Sequence, residues 1–353
     1  MPPSDFTSIP IIDLSKAQNG NTREELLEDL RHAIINVGFL YISNHSVPSA
    51  VTKSLVDALP VLFGFSEHEK EEVALGKSPH FLGYSATGAE MTAGHADLRE
   101  QFEFATELES GWREGQPLFE KLRGPNQWPS TYPALRPIVQ TYISELTQLS
   151  EKFLAFAAEA LSLPLETFTP FISDQHRLKL VHYPASQCGA TQGVGPHKDS
   201  SGWWTFLLQA SPPHIKGLQA LNKHGDWIDV PNIPGTFVVN IGQGFEVVTN
   251  GVCKATTHRV LSGADERYSV PFFQGMRRDL TKEIAVGTLK EHFGSAAFVG
   301  SHESDVGRDI DSAFLKGKYD TWGDTQLRTK IRSHQDVGKR FYGEVFEKYV
   351  SDA

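Results

Sequence analysis

The sequence is poor in cysteine, because Cys188 and Cys253 are the only two in 353 residues. Two cysteines cannot build a disulfide framework or a cysteine-based metal site, so both are excluded. Long apolar runs are also missing, since no stretch approaches the roughly twenty apolar residues that a transmembrane helix needs. The N-terminus has no basic start followed by an apolar run, and the last residues match no retention or lipidation signal. We therefore expect a cytoplasmic protein without a membrane partner.

The chain also has fewer basic than acidic residues. The chain has 33 Lys and Arg against 43 Asp and Glu, which gives a formal net charge of −10. This balance disfavours a nucleic acid or an anionic membrane surface as the main partner. The hydrophobic content of 39% and the charged content of 22% are ordinary for a soluble globular enzyme with an ample core. Nothing in the sequence indicates an obligate assembly, so we expect a monomer.

Helical periodicity dominates the first half of the chain. Apolar residues recur at helical spacing within 26–37, and Thr22 with Glu25 has the pattern of a capping box that begins this helix. The same spacing predicts helices at 48–62 and 139–161. Between them, residues 77–104 break into Gly, Ser, Thr and Ala with scattered aromatic rings. Such a segment predicts either a lid or a packed excursion over the core.

After Asp174 the periodicity changes to that of β-strands. Gly, Pro, Asn or Asp lies between most of the short apolar runs that follow, and many short strands with turn signals predict an antiparallel sandwich or barrel. The fold class expected is thus mainly β with flanking helices. Near the C-terminus, 327–331 and 337–349 predict helices that pack back on the core. The predicted strands are 9–14, 39–43, 178–183, 204–208, 218–221, 227–230, 236–241 and 267–270.

Two histidines and an aspartate form the candidate metal site. His197 and Asp199 are two positions apart, so in an extended backbone both side chains leave the same face. His258 follows about sixty residues later, which allows several strands to return to the same end of a barrel. Two imidazoles and one carboxylate hold iron(II) on one face and leave other positions open. Taken alone, a His-x-Asp pattern more often marks solvated loop residues, and we expect no ligand role for His45, His80, His95, His182, His214 or His224.

Arg267 and Ser269 share one face of a predicted strand shortly after the second histidine. A guanidinium grips a carboxylate through two parallel charge-assisted hydrogen bonds, and a hydroxyl adds a third. Beside an open iron site, this pair would bind the far carboxylate of a dicarboxylate co-substrate. The alternative is an ordinary ion pair of Arg267 with Asp265 or Glu266 in the adjacent turn.

With these motifs the chain resembles the iron(II)/2-oxoglutarate-dependent dioxygenases, in the branch that includes isopenicillin N synthase, flavonoid oxygenases and gibberellin oxidases. The resemblance covers most of the chain. Its N-terminal part is Ile-Pro-Ile-Ile-Asp-Leu at 9–14, followed by the segment 38–48. The sharper matches are Trp-Ile-Asp-Val-Pro-Asn-Ile-Pro-Gly at 227–235, Thr-His-Arg-Val at 257–260 and Glu-Arg-Tyr-Ser-Val-Pro-Phe-Phe at 266–273.

The resemblance implies a double-stranded β-helix, or jelly roll, flanked by helices. It implies iron(II) on His197, Asp199 and His258, and the distal carboxylate of 2-oxoglutarate on Arg267 and Ser269 with help from Tyr183. The activity implied couples 2-oxoglutarate decarboxylation and O2 to hydroxylation, desaturation or ring rearrangement of a small organic, secondary-metabolite substrate. The expected divisions are an N-terminal region at 7–125, the jelly-roll core at 175–280 and a C-terminal helical extension at 281–353.

Aromatic residues are the candidates for the substrate pocket, and they favour an apolar small molecule. The alternative for each ring is plain core packing. If the rings prove to be buried away from the metal, the apolar substrate loses its support. The candidates are Phe102, Phe104, Trp203, Trp204 and Phe273.

Two positions near the predicted co-substrate site depart from the family pattern, and Ser46 stands where Gly is usual. Val181 stands where Asn is common near the co-substrate, and His182 replaces a frequent Tyr. Isopenicillin N synthase also has an aliphatic residue at the first position and uses no 2-oxoglutarate, so an oxidase that needs no 2-oxoglutarate stays open. A zinc hydrolase would need an acid or base near the metal-bound water, for which we find no candidate. A non-catalytic jelly-roll binding protein is disfavoured because the metal trio, Arg267 and Ser269 are all present.

Overall fold

A computed structural model describes residues 6–92, 95–186, 191–200, 202–294, 314 and 318–351. Within these ranges no helix combines the length and the apolar character that crossing a membrane requires. The strands are β1 (Ile11–Asp13), β2 (Phe39–Ser43), β3 (Gly83–Ser85), β4 (Met91–Thr92), β5 (His95–Ala96), β6 (Glu100–Ala105), β7 (Arg177–Tyr183), β8 (Thr191–His197), β9 (Gly202–Gln209), β10 (Leu218–Leu221), β11 (Trp227–Asp229), β12 (Phe237–Ile241), β13 (His258–Ser262) and β14 (Arg267–Gly275).

Two sheets form the centre of the fold. The larger sheet has the order β1-β2-β12-β9-β14-β7-β6-β3, and the smaller one has the order β11-β10-β13-β8. Every pairing in them is antiparallel except that of β1 with β2. Buried residues of both sheets, such as Val181 and Val238 of the larger and Val194 and Val260 of the smaller, belong to one hydrophobic cluster. The sheets therefore face each other as a double-stranded β-helix, which confirms the predicted fold class.

Helices cover the outer face of the larger sheet. Successive side chains of a strand point to opposite faces, and on β9 the ring of Phe206 lies 5.7 Å from that of Phe153 in the longest helix. The C-terminal helices pack on a separate cluster that includes Phe81 and Phe119. The helices are α1 (Gly20–His32), α2 (Ser49–Phe63), α3 (Glu67–Glu72), α4 (Leu135–Ala160), α5 (Gln243–Val248), α6 (Lys282–Gly287), α7 (Lys290–Phe293), α8 (Trp322–Ser333), α9 (Gln335–Phe341) and α10 (Gly343–Ser351).

Of the two forms predicted for the segment 77–104, the lid does not hold for its end, where β6 pairs with β3 and β7 inside the larger sheet. The predicted capping box was wrong. The helix α1 begins at Gly20, with Asn19 as the N-cap accepting from the Asn21 N–H. The predicted capping residues have other partners: the Thr22 hydroxyl donates to the Lys16 carbonyl, and Glu25 accepts from the Lys16 ammonium.

Gly38 makes the turn from the first helical segment into β2. After α1 the chain continues as a π-helix at Ala33–Val37, and the Gly38 N–H closes it by donating to the Ala33 carbonyl. Gly38 has φ of +69°, a left-handed conformation that side chains with a Cβ disfavour. A Cβ there would lie 2.3 Å from the Lys254 carbonyl and 2.4 Å from the Thr256 hydroxyl. Only glycine fits this contact.

We expect Gly38→Ala to lower the free energy of unfolding by about 2 kcal/mol or more. The alanine would have to adopt a strained left-handed backbone conformation, and its Cβ would overlap with neighbouring atoms. Chemical denaturation measures the change. Gly20→Ala is the matched control, because no atom of the described residues would lie within 4 Å of a Cβ at Gly20. Equal stability of the two variants would contradict the role of Gly38.

Candidate metal and co-substrate site

The three predicted metal ligands meet at one end of the smaller sheet. His197 ends β8, His258 begins β13, and the two are direct cross-strand partners. Asp199 Oδ1 lies 3.7 Å from His197 Nε2 and 3.6 Å from His258 Nε2. One ligand atom from each residue lies within 4.8 Å of the others, and within the described ranges this is the one group of His, Cys, Asp or Glu side chains found with such geometry.

Hydrogen bonds orient each ligand. The Nδ1–H of His197 donates to the Gly195 carbonyl at 2.8 Å, and that of His258 donates to the Thr256 carbonyl at 3.0 Å. A backbone acceptor on Nδ1 fixes the tautomer with Nε2 free to bind a metal. Both free Nε2 atoms therefore face the carboxylate of Asp199.

Asp199 is held from the larger sheet. Its Oδ2 accepts from the Thr205 hydroxyl of β9 at 2.5 Å and from the Asn240 amide of β12 at 2.7 Å, so Oδ1 is left for a metal. Although burial opposes it, the imidazoles of His258 and His197 hold the pKa of Asp199 below its usual range. Burial, aided by His258, lowers the pKa of His197 to about 4. The donor set is two imidazoles and one carboxylate, which fits iron(II).

The predicted co-substrate residues also share one face. On β14, Arg267 lies opposite Tyr183 of β7, and Ser269 lies opposite Val181 of β7 and Gln209 of β9. The guanidinium carbon of Arg267 is 5.1 Å from the centre of the Tyr183 ring.

Arg267 is buried, with 3% of its surface exposed, and its guanidinium makes fewer hydrogen bonds than it can donate. Its Nη2 donates to Gln209 Oε1 at 3.3 Å, whereas Nη1 has no hydrogen-bond partner within the described structure. Glu266, one of the two acids that could have paired with Arg267, instead lies 3.8 Å from His182 Nε2. Burial lowers the pKa of Arg267, an effect that the Tyr183 hydroxyl partly offsets. A buried guanidinium with a free N–H is suited to an incoming carboxylate.

The two departures from the family pattern fall on opposite faces of β7. Val181 belongs to the cluster between the sheets and adds an apolar contact beside Ser269. His182 points to the helix side, where its Nδ1 lies 2.8 Å from Glu100 and its ring stacks on Tyr268. The replacement at His182 therefore lies outside the co-substrate site.

The prediction that four aromatic rings line the substrate pocket was wrong. Phe102, Phe104, Trp203 and Trp204 are fully buried in the main hydrophobic cluster. Phe104 stacks on Trp128 at 4.9 Å between ring centres. Because the residues of one strand alternate between faces, Phe102 and Phe104 share the helix side of β6.

The two tryptophans are also core residues. Both rings pack against Phe245, with ring centres 5.1 Å from Trp203 and 4.4 Å from Trp204. Phe273 differs, since it is partly exposed and pairs with Thr205, which contacts Asp199. Of the five candidates, Phe273 alone lies on the side of the metal site, and the preference for an apolar substrate loses its support.

Charged side chains, which the sequence did not single out, fill the inner face beyond Tyr183. The Glu90 carboxylate accepts from Lys179 at 2.8 Å, from Arg99 at 2.8 Å and from Gln101 at 2.7 Å. Burial opposes the charge of Arg99, but Glu90 and then the Tyr183 hydroxyl, with which Arg99 also interacts, raise the pKa of Arg99. A continuous polar network thus runs from the co-substrate grip into the interior.

A second buried acid anchors the C-terminal helix α8 to this network. Glu103 accepts from Arg177 at 2.7 Å and from Lys330 of α8 at 2.5 Å. Burial opposes ionisation of Glu103, but the two cations outweigh it and lower its pKa to about 2. The only signal in the sequence was the alternation of acidic and aromatic residues in Glu100–Ala105.

Comparisons with known proteins agree with this site. Residues 9–131 match the family model described as non-haem dioxygenase in morphine synthesis N-terminal, and residues 175–275 match the 2OG-Fe(II) oxygenase superfamily. The chain belongs to the 2OG-Fe(II) oxygenase superfamily. The predicted resemblance is confirmed, and the oxygenase is an Fe(II)/2-oxoglutarate-dependent dioxygenase that oxidises a small molecule with iron, 2-oxoglutarate and O2.

Individual relatives cover most of the oxygenase. The 2-oxoglutarate-dependent dioxygenase frbJ of Dothideomycetidae sp. (strain 11243) is 41% identical over 95% of this chain and 92% of its own. Homoarginine-6-hydroxylase 2-ODD-C23 of Glycine max is 29% identical over 79% of this chain and 89% of its own. The crystal structure of full-length Neurospora crassa T7H with alpha-KG is 25% identical, covers 79% of this chain and 88% of its own, and has a TM-score of 0.66.

We expect Thr205→Val to weaken metal binding roughly tenfold, because outer hydrogen bonds to a ligand typically contribute 10- to 100-fold in affinity. Anaerobic titration with Fe(II) or Co(II) measures the change. Thr147→Val is the control, since the Thr147 hydroxyl bonds only a helix carbonyl in α4. Unchanged affinity in Thr205→Val would show that Asn240 alone suffices to hold Asp199.

We expect Glu103→Gln to lower stability at pH 7 by about 3 kcal/mol, since it leaves Lys330 and Arg177 without their shared carboxylate. The folded pKa of Glu103 lies below its usual value, so its contribution is present above about pH 4.5 and fades as the pH falls towards 2. Urea unfolding at pH 7, 4.5 and 3 should show the difference from wild type narrowing. Glu25→Gln, at an exposed pair with Lys16, is the control. A difference that is constant with pH would contradict this assignment.

Proposed function

We propose that Arg267, Ser269 and Tyr183 bind the distal carboxylate of 2-oxoglutarate. The observation that carries this proposal is the buried Nη1 of Arg267, which has no partner in the described part of the chain. A carboxylate there gains a charge-assisted bond from Arg267 and a further bond from the Ser269 hydroxyl. Val181 contributes only apolar contact, so the polar grip on the co-substrate lies at the Arg267 end.

Iron bound by His197, Asp199 and His258 supplies, with 2-oxoglutarate and O2, the oxidising power of the reaction. The chain itself holds the reactants in position and keeps water away. The side chains of Asp199 and His258 are buried, and Phe39 of the apolar cluster between the sheets packs against His258, with ring centres 5.4 Å apart. Hydrogen bonds from both sheets hold the three residues that would bind the metal.

We infer that the substrate is small and polar. The interior beyond the co-substrate grip carries the paired charges of Glu90, Arg99, Lys179 and Glu103. An apolar molecule placed against charged groups would gain no hydrogen bonds from them, whereas a polar molecule would. The likeness to a homoarginine-6-hydroxylase supports hydroxylation of a polar molecule as the outcome.

The same proposal includes the division of the chain, its cellular location, its oligomeric state, its partners and its metabolic role. We assign residues 7–125 to an N-terminal region, 175–280 to the jelly-roll core and 281–353 to a C-terminal extension, and the separate matches at 9–131 and 175–275 support the first two. We further propose a cytoplasmic monomer without a membrane or nucleic-acid partner, acting in secondary metabolism.

The reaction is tested by supplying the iron-loaded oxygenase with 2-oxoglutarate, O2 and pools of small metabolites. We expect succinate release above background with one pool, and the oxidised product then identifies the substrate. Oxygen uptake that proceeds without 2-oxoglutarate would favour the oxidase alternative.

We expect Arg267→Gln to weaken 2-oxoglutarate binding roughly a hundredfold, since losing one partner of a buried charge pair costs about 2–5 kcal/mol. Anaerobic calorimetry on the Co(II)-loaded protein measures the affinity. Arg267→Lys keeps the positive charge but loses the planar guanidinium that can donate two parallel hydrogen bonds. Its 2-oxoglutarate affinity should therefore lie between those of wild type and Arg267→Gln. The metal affinity of all three should agree, which separates loss of the grip from loss of the site. If Arg267→Gln binds 2-oxoglutarate with wild-type affinity, the proposal is wrong.

A further inference from the structure

A pocket opens near the metal site, at the end of β14 that carries Phe273. Phe273 pairs with Thr205, whose hydroxyl donates to Asp199. The pocket lies between β14 and the C-terminal helix α8, because its lining includes Phe273 of the strand and Lys330 of the helix. Its walls are partly apolar, through Phe273, Leu122 and Met276.

Three lining side chains are cations, and two of them share one carboxylate. Arg177 and Lys330 both bind Glu103. Arg177 is further satisfied by backbone carbonyls, because its Nη1 donates to Phe81 and its Nη2 donates to His80. These two cations and one acid already leave the pocket with an excess of positive charge.

The third cation, Arg278, lacks a close counter-ion. It is 8% exposed, and Glu120 and Asp174 lie 3.9 and 4.0 Å away, beyond hydrogen-bond distance. Both of these acids also approach Arg123. Arg278 has one long hydrogen bond, from Nη1 to Gln175 Oε1 at 3.4 Å, and its Nε has no partner within the described residues.

A buried guanidinium with so few bonds is costly unless something completes it. Burial lowers the pKa of Arg278 to about 10, so the side chain is still charged at neutral pH. A carboxylate matches its planar fork and neutralises the excess charge, and the apolar walls match a carbon skeleton. A neutral carbonyl could accept a hydrogen bond from Arg278 but would leave the excess positive charge unbalanced, and a cationic group would add to it.

We propose that the substrate of this oxygenase carries a carboxylate that Arg278 binds, with Phe273 against its carbon skeleton. This inference rests on the proposed function, because it assumes that 2-oxoglutarate occupies the separate grip at Arg267. It narrows the substrate from a small polar molecule to an organic acid.

The test compares carboxylates with their neutral amides on the Co(II)-loaded oxygenase, saturated with 2-oxoglutarate under nitrogen. The probes are phenylacetate with phenylacetamide and 4-phenylbutanoate with its amide, measured by calorimetry. Saturation with 2-oxoglutarate keeps the probes off Arg267. We expect at least one carboxylate to bind roughly tenfold or more tightly than its amide, and Arg278→Gln to remove that preference.

The neighbouring residue provides the matched control. Arg277 is exposed and paired with Asp279, so Arg277→Gln should keep the preference for the carboxylate. Each variant must retain wild-type 2-oxoglutarate affinity, which reports an intact fold. If Arg278→Gln fails this check, Arg278→Lys takes its place, with the charge kept and the fork lost, and the preference should fall.

Equal binding of acids and amides, no binding of either acid, or a preference that survives the Arg278 substitution would overturn the proposal. The proposed function fails in a different way. An oxygenase that prefers the carboxylates but releases no succinate with any metabolite pool keeps the Arg278 site and loses the assigned reaction.

Discussion

The structure depends on one cross-strand pair, His197 opposite His258, completed by a carboxylate that the other sheet holds. The two histidines belong to the smaller sheet, whereas Thr205 and Asn240 of the larger sheet bind Asp199 Oδ2. The metal site is therefore a junction between the two sheets. Any change in their separation moves Asp199 relative to the imidazoles, so the packing of the apolar cluster between the sheets sets the geometry of the donors.

The interior beyond the metal site also carries paired charges. Buried ion pairs contribute little net stability, because desolvation offsets most of their attraction. Glu90 and Glu103 nevertheless hold Lys179, Arg177 and Lys330 in fixed positions on the inner face. An interior built only for stability would be served better by apolar side chains, so this arrangement is consistent with recognition of a polar ligand.

The sequence predicted the strands and helices wherever periodicity was strong, and it predicted the metal ligands because spacing and chemistry agreed. It missed β6, where acidic and aromatic residues alternate and both kinds are buried. It also assigned Phe102 and Phe104 to the pocket. Alternation fixes that neighbours point to opposite faces, but only the pairing partner and the surrounding layers decide which face is inside. The sequence could not predict the role of Arg278 either, because the residues that surround it, such as Glu120 and Asp174, lie far away in the chain.

The register along β14 orders the site. Arg267 begins the strand, Phe273 lies six residues further beside Thr205 and the metal ligands, and Arg278 follows beyond the end at Gly275. At about 3.3 Å per residue, Arg267 and Phe273 are roughly 20 Å apart along the strand. A single small dicarboxylate cannot span from Arg267 to Arg278. This separation agrees with the proposal that the two guanidiniums bind two different ligands, the co-substrate at Arg267 and the substrate carboxylate at Arg278.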